Sequence, residues 1–216
     1  MFLLENEFER LNSVNIPFGQ ENYKAALLEE NVAKNRYPNI LARDFFRAYV
    51  PQTTNSTDYI NAVFVNGYKK KDVEGSEEFG NLTVNVESST RVGDINVQSF
   101  IISNKTNHRK VNKLQLNWPN HDIPDCSSLL TLIGEVLKSH MEMAPYCDGA
   151  NRSGTFIACM NALDQLKVEQ HADVSQTVRR MRLARPEFVE NMRQYQFIYT
   201  VLNKYLDSFA TYSNFN

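Results

Sequence analysis

PYCDGANRSGTF, residues 145–156, is the stretch of this chain that most restricts its fold. It reads as a loop of small residues that ends in Arg152 at the start of a helix. Successive backbone N–H groups in such a loop can converge on an anion, and a guanidinium can bind two phosphate oxygens at once. A cysteine in that field, Cys147, would lose its proton more readily and become a nucleophile. The stretch therefore predicts a phosphate site and leaves cysteine chemistry open.

The composition indicates a globular protein without a strongly charged surface. The chain has 216 residues, a net charge of -2, 42% hydrophobic and 22% charged residues, which predicts one domain over 1–216. Neither nucleic acid nor a membrane segment is expected, because the charge is near zero and no run of about 18 apolar residues occurs. The odd cysteine count and the lack of a signal sequence predict a cytoplasmic setting. The histidines are scattered, so no metal and no cofactor is expected.

Hydrophobic spacing predicts strands in the middle of the chain and helices toward its end. Alternation of apolar and polar residues predicts strands near 59–65, 82–86, 100–102 and 114–118. A helix is predicted over 2–11, followed by an irregular segment through Arg47. Apolar stripes with helical spacing predict further helices at 129–137, 156–166, 174–181 and 195–209. This pattern favours an α/β fold of the α+β type.

Five motifs in a fixed order resemble protein tyrosine phosphatases. They are KNRYPNI (34–40), DYINA (58–62), WPNHDIP (118–124), GANRSGTF (149–156) and RRMRLARP (179–186). The resemblance covers nearly the whole chain and implies that family's central mixed sheet flanked by helices. It implies that Tyr37 recognises phosphotyrosine, whereas Arg36 and Arg185 are expected to hold the fold together. The implied phosphate-binding residues are Asp148, Gly149, Ala150, Asn151, Arg152 and Ser153.

Three shorter segments resemble one branch of that family. LNSV (11–14), AALL (25–28) and KYLDSF (204–209) are similar to the second, membrane-distal phosphatase domain of receptor types, especially those with MAM ectodomains. In that class the second domain is commonly weak or inactive and acts as a regulator. The resemblance therefore implies a regulatory domain that lies in the cytoplasm as the intracellular part of a receptor.

The phosphate loop departs from the family pattern at its nucleophile. An active member of the family needs Cys-x5-Arg, because the intervening amides and the Arg encircle one phosphate above the thiolate. Counting back from Arg152 without a gap places Tyr146 at the nucleophile position and Cys147 one residue later. A phenol with a pKa of roughly 10 is a poor nucleophile at neutral pH. If Cys147 is aligned instead, the loop is one residue short, so both alignments predict damaged chemistry.

Two further catalytic elements also depart from the family. The family's general acid is an Asp directly after Trp-Pro, where this chain has Asn120, whose amide cannot protonate a leaving group. Asp122 lies two residues on and is the candidate stand-in acid. General acid catalysis contributes roughly 10²–10⁴-fold in rate. The family's water-positioning glutamine falls at Glu190, which adds negative charge near a dianionic substrate, so the departures together predict a pseudophosphatase.

The chain is shorter than the family in the middle. After GYKKKD (67–72) the family continues with a long block that contains a helix and a buried strand, whereas this chain passes to VEGS (73–76), which resembles sequence beyond that block. The apolar strand expected before the phosphate loop is reduced to MEMA (141–144). Both losses fall on the expected central sheet and predict unpaired strand edges. An incomplete gene model, a skipped exon and a truly shortened domain all fit this pattern.

Three functions are consistent with these residues. The first is a catalytically impaired tyrosine phosphatase-like domain that binds a phosphotyrosine protein or a partner signalling domain. The second is a weakly active phosphatase, with Cys147 as nucleophile, Arg152 stabilising the transition state and Asp122 as acid. The third is a truncated product that lacks a stable fold.

Overall fold

The computed structural model describes residues 2–14, 19–52, 56–65, 83–104, 106–119, 123–138 and 150–213. Its helices are α1 (Phe2–Ser13), α2 (Lys24–Leu27), α3 (Glu29–Val32), α4 (Cys126–Lys138), α5 (Asn151–Glu169), α6 (Val174–Ala184) and α7 (Met192–Ser213), with a 3-10 turn at Gln20–Asn22. Its strands are β1 (Arg47–Tyr49), β2 (Tyr59–Val63), β3 (Thr83–Val92), β4 (Ile95–Ser103) and β5 (His108–Leu116). The α+β class is therefore confirmed.

The chain divides into two compact units, and each unit joins separate parts of the sequence. The first comprises Met1–Ser76 and Pro145–Leu202, and the second comprises Glu77–Ala144 and Asn203–Asn216. The expectation of a single domain over 1–216 stays a prediction. In the part of the chain that the structure describes, no helix is long and apolar enough to cross a membrane.

Helices α5, α6 and α7 supply many of the buried apolar side chains of the first unit. The predicted stripe of α6 is confirmed, since Val174, Val178 and Met181 are all at most 2% exposed. In the stripe predicted for α7, Tyr195 and Leu202 are buried and Tyr199 is half-buried, whereas Leu206 and Phe209 are 49% and 55% exposed. Helical spacing thus predicted the element correctly but not the point at which burial ends.

Local chemistry sets the limits of α6. The Asp173 carboxylate caps the helix by accepting a hydrogen bond from the Gln176 N–H at 2.8 Å. At the other end, Arg185 has an extended backbone, as expected of a residue before proline, and α6 ends one residue earlier. The expected stop at Pro186 is therefore confirmed.

Helix α1 is fixed in the first unit by a carboxylate that two tyrosines share. Glu7 Oε1 accepts a hydrogen bond from the Tyr199 hydroxyl at 2.8 Å and another from the Tyr195 hydroxyl. The Phe8 ring lies 5.2 Å from the Tyr195 ring. Burial raises the pKa of Tyr199 to about 12 and also raises the pKa of Tyr195, so both donate as neutral phenols at physiological pH.

The segment expected to be irregular, between α1 and β1, contains short helices that polar side chains hold in place. Asp44 accepts hydrogen bonds from the N–H groups of Lys24 and Ala25 at 2.9 and 3.1 Å. Asn35 donates to the Ala26 carbonyl at 2.9 Å and accepts from the fully buried Tyr59 hydroxyl at 2.6 Å. Such bonds leave no hydrophobic period in the sequence, so spacing could not predict these helices.

The second unit contains an antiparallel sheet of order β3-β4-β5, with α4 packed against β4 and β5. The strands predicted near 82–86, 100–102 and 114–118 are confirmed as β3, β4 and β5, although β5 ends at Leu116, before Trp118. Ile95 at the start of β4 is fully buried. Asp125 caps α4 by accepting a hydrogen bond from the Ser128 N–H at 2.8 Å, and this bond lowers the pKa of the Asp125 carboxyl.

The strands that the structure describes belong to two sheets. The described strands form a two-stranded sheet, β1-β2, and the three-stranded sheet β3-β4-β5, and every pairing among them is antiparallel. A parallel pair requires a crossover between strands. The short apolar segment expected to precede the phosphate loop, 141–144, lies outside the described residues.

Candidate functional site

Helix α5 begins at the end of the predicted phosphate loop. Its N-cap residue is Ala150, whose methyl group cannot accept a bond from the first-turn amides. The first turn is well packed, since Ser153 is 4% exposed and Thr155 is fully buried. The amides and the macrodipole give this end of the helix a partial positive charge. The start of α5 thus has the electrostatics that an anion site needs.

The loop at 185–191 packs closely against the first turn of α5, at Gly154. A Cβ atom at Gly154 would lie 2.7 Å from Cδ1 and 3.0 Å from Cα of Phe188. Distances this short cannot be accommodated without movement, so the packing requires glycine at 154. Phe188 itself is 1% exposed. The glycine of the predicted phosphate motif therefore sets the distance between helix and loop.

The same loop contains a strained residue that an arginine holds in place. Val189 has φ of 56°, a conformation that β-branched residues rarely adopt, and its side chain is fully buried. The Arg182 guanidinium donates to the carbonyls of Phe188 at 3.1 Å and Val189 at 2.8 Å. It also donates to Asn12 Oδ1 at 2.9 Å. Arg182 therefore fixes the backbone immediately before Glu190.

Glu190 reaches the start of α5 through hydrogen bonds. Its carboxylate Oε2 accepts from Asn151 Nδ2 at 3.3 Å. Gln194 ties the same residues together, because its Nε2 donates to Asn151 Oδ1 and its Oε1 accepts from the Glu190 N–H at 2.8 Å. The structure thus brings together two residues of the predicted site, Asn151 and Glu190. A negative charge lies at the helix end where a phosphate would otherwise be favoured.

Gln194 is a site residue that the sequence analysis did not identify. Asn191 Oδ1 accepts from the Gln194 N–H at 3.1 Å, which caps the start of α7. An Asn followed three residues later by Gln is a capping pattern visible in the sequence. That pattern could have located the cap. It contains nothing that points to the bond between Gln194 and Asn151, which are 43 residues apart.

Arg152 lies one residue inside α5 and is partly exposed. Within the described ranges its side chain forms no hydrogen bond or ion pair. Ala150 and Ser153 are buried beside it, at 1% and 4% exposure. Among the predicted phosphate-binding residues that the structure describes, Arg152 is therefore the one that carries a positive charge.

The predicted recognition residue, Tyr37, lies in the turn that follows α3. Its side chain is 37% exposed, and the Arg36 guanidinium lies 5.3 Å from its ring centroid. The Tyr37 ring is thus partly exposed and lies beside a cation. Its role in phosphotyrosine recognition stays a prediction.

Arg185 holds the fold together, as expected. It is 2% exposed, and its Nη2 donates to Asn61 Oδ1 at 2.7 Å. Asn61 in turn donates to the Ile40 carbonyl at 2.7 Å, so Arg185 connects the end of α6 with β2. Burial raises the pKa of the neighbouring Glu187 carboxyl, and the charges of Arg185 and Arg43 oppose that shift.

The remaining predicted site residues lie outside the described residues. They are Asn120, Asp122, Tyr146, Cys147, Asp148 and Gly149. Their catalytic and phosphate-binding roles stay predictions. Of the other cysteines, Cys159 is buried in α5 and Cys126 is partly buried at the start of α4, where burial raises its pKa. The described residues contain no group of three His, Cys, Asp or Glu side chains that could hold a metal ion.

Comparison with known proteins identifies one family. The sequence profile of the protein-tyrosine phosphatase family matches residues 31–74 and 68–204. Receptor-type tyrosine-protein phosphatase alpha of Homo sapiens is 27% identical over 271 residues, covering 98% of this chain and 34% of that protein. Receptor-type tyrosine-protein phosphatase epsilon of Mus musculus is 29% identical over 276 residues, covering 98% of this chain and 39% of that protein. The chain thus spans little more than a third of the length of these relatives.

A solved structure shares the fold. PTPN18 in complex with HER2 phosphopeptides superposes with a TM-score of 0.78 at 18% identity, over 93% of this chain and 92% of that chain. A second PTPN18 structure gives a TM-score of 0.77 at 19% identity. The resemblance found in the motifs is therefore confirmed at the level of family and fold.

Proposed function

We propose that this chain, which belongs to the protein-tyrosine phosphatase family, is a catalytically impaired domain that binds phosphotyrosine or partner proteins in signalling. The observation that carries the proposal is the position of Glu190. Its carboxylate is hydrogen-bonded to Asn151 at the start of α5, where the family resemblance places a bound phosphate.

Electrostatics explain why this position impairs catalysis. A helix N-terminus favours an anion by roughly 0.3–1 kcal/mol at an exposed site. A carboxylate at the same end opposes an incoming dianion by a Coulomb term of similar size or larger. Tyr146 at the nucleophile position and Asn120 at the acid position add chemical defects to this electrostatic one. Weak binding without efficient turnover is the expected result.

The shortened middle of the chain supports a regulatory rather than a catalytic role. The two matched segments of the family profile overlap at residues 68–74, which include Asp72, the residue after which a block was expected to be missing. The alignment with the human alpha relative is 271 residues long whereas the chain has 216, so that relative contributes residues with no counterpart here. We infer that this chain is the second, membrane-distal phosphatase domain of a receptor-type protein and that it lies in the cytoplasm. Sequencing the transcript across Asp72–Val73 tests whether the junction is real.

Phosphopeptide binding tests the proposed function directly. Fluorescence anisotropy with a labelled phosphotyrosine peptide and its unphosphorylated form should give binding that requires the phosphate. Arg152→Ala should abolish this binding, because it removes the guanidinium at the mouth of α5. Arg180→Ala, an exposed arginine on α6, is the matched control and should bind as the unmodified chain does. Equal affinity for both peptides would contradict phosphotyrosine recognition.

A weakly active phosphatase is the second candidate, and the partly exposed Arg152 at the start of α5 favours it. In that reaction the Cys147 thiolate would bond to phosphorus while the tyrosine oxygen leaves and takes a proton from Asp122. Turnover of an aryl phosphate by the chain that disappears in Cys147→Ser would establish this activity and overturn the impaired assignment. Absence of a cooperative thermal transition would instead support the third reading, a truncated product without a stable fold.

A further inference from the structure

Strand β3 presents an edge with no strand partner among the described residues. It pairs with β4 on one side only, and all ten of its residues are exposed. An exposed edge of this length carries a row of backbone donors and acceptors that can pair with another strand.

The register of the sheet groups the apolar side chains of β3 with those of its neighbours. Directly opposed residues in antiparallel strands share a face. One apolar row on this face consists of Val86, Phe100 and Val111, and a shorter one consists of Val84 and Ile102, beside Arg109 of β5. Val84 and Val86 are 57% and 62% exposed at the edge. Each apolar row therefore ends at the edge in an exposed valine.

A bulge confines this apolar part of the edge to the start of β3. Val86 pairs with Phe100 and Ser88 with Ser99, so Glu87 has no partner in β4. After the bulge the alternation is reversed, and Val92, which pairs with Ile95, lies on the opposite face. A bulge also increases local twist. A strand added to this edge can thus extend both apolar rows only along 83–87.

We propose that β3 of a second copy of this chain pairs with this edge, antiparallel, with Asn85 on the two-fold axis. In that arrangement Val84 of each copy lies opposite Val86 of the other, and Thr83 lies opposite Glu87. The row that ends at Val86 then continues into the row that begins at Val84 of the second copy. The interface is isologous and closes at two copies.

The edge fits a second copy because it is self-complementary about Asn85. Charge does not oppose the pairing, since Glu87 forms an ion pair with Lys110 of its own sheet at 2.6 Å. The interface uses residues of the second unit alone and is independent of the proposed phosphotyrosine site.

Disulfide trapping tests the register. Opposed residues in an antiparallel pair have Cα atoms about 4.5–5.5 Å apart, within the range a disulfide spans. Asn85→Cys should form a disulfide-linked dimer under mild oxidation, well above the level of the unmodified chain with its native cysteines. Ser89→Cys, equally exposed on the same strand but not opposite itself, is the control and should stay at the background level. Equal cross-linking of the two variants would overturn the proposal.

Sedimentation velocity tests the apolar rows without covalent trapping. The unmodified chain should dimerise with rising concentration. Val86→Lys should weaken the association about tenfold or more, because a lysine replaces one valine in each of the two Val84–Val86 pairs. Val92→Lys, on the same strand but on the other face, should associate as the unmodified chain does. Both positions are exposed, so circular dichroism should show unchanged folding. A chain that stays monomeric, or a Val92→Lys effect as large as that of Val86→Lys, would refute the pairing.

Discussion

At the scale of single residues, Gly154 shows how one missing side chain fixes the candidate site. Gly154→Ala would gain roughly 1 kcal/mol of helix propensity but would force Cβ against Cδ1 and Cα of Phe188, at 2.7 and 3.0 Å. Because the Cα belongs to the backbone, overpacking should prevail and the net loss of stability should be about 1–3 kcal/mol. Urea denaturation followed by helical circular dichroism measures the change.

Gly134 in α4 is the matched control for this prediction. It is also helical, but an added Cβ meets nothing within 4 Å. Gly134→Ala should therefore stabilise the second unit by up to about 1 kcal/mol, monitored through the fluorescence of the single tryptophan, Trp118. If Gly154→Ala were as stabilising as Gly134→Ala, the close approach to Phe188 would not exist in solution.

At the scale of elements, the cap of α6 gives a second test. Asp173→Ala should lower the free energy of unfolding by about 1 kcal/mol, because the Gln176 N–H loses its 2.8 Å acceptor. Asp173→Asn keeps a side-chain oxygen at the same place and should retain most of that stability. Thermal denaturation of the two variants compares them. Equal losses would mean that charge at the helix end, rather than the cap bond, stabilises α6.

Elements with a hydrophobic period could be predicted from the sequence, and the others could not. The stripes of α6 and α7 and the alternation of β4 and β5 reflect burial, which leaves a period of 3.6 or 2 in the residues. Helix α2 depends on bonds that its residues make with the Asp44 carboxylate and the Asn35 amide, and such bonds leave no period in the sequence. The expected mixed sheet came from the family resemblance, and the described strands pair only antiparallel.

The candidate site shows the same limit. Its loop and its departures from the family are visible in the sequence, because each is a residue type at a fixed spacing from Arg152 or Trp118. The bond between Asn151 and Glu190 joins residues 39 positions apart, and no spacing rule predicts it. The sequence therefore indicates candidate residues, and the structure shows that two of the described ones, Asn151 and Glu190, lie in contact.

At the scale of the whole molecule, buried arginines connect distant parts of the first unit. Arg182 donates to Asn12, 170 residues away, and Arg43 donates to the carbonyl of Leu183, 140 residues away. These bonds join the sequence before β3 to the sequence after α4, which are the two parts of the chain that make up the first unit. Loss of such long-range polar contacts should therefore destabilise the first unit.

Replacement of Arg182 tests this view of the molecule. Arg182→Met keeps most of the side-chain volume but leaves the carbonyls of Phe188 and Val189 without their donor, which should cost about 3 kcal/mol or more. Arg179→Met, exposed on the same helix, should change stability by less than about 0.5 kcal/mol. Urea denaturation compares the two variants.

Since Val189 is held in its strained conformation by those same bonds, Arg182→Met should also release Glu190 from the start of α5. Equal stability of the two variants would mean that the loop keeps its conformation without Arg182, and that packing of Phe188 alone holds it against α5.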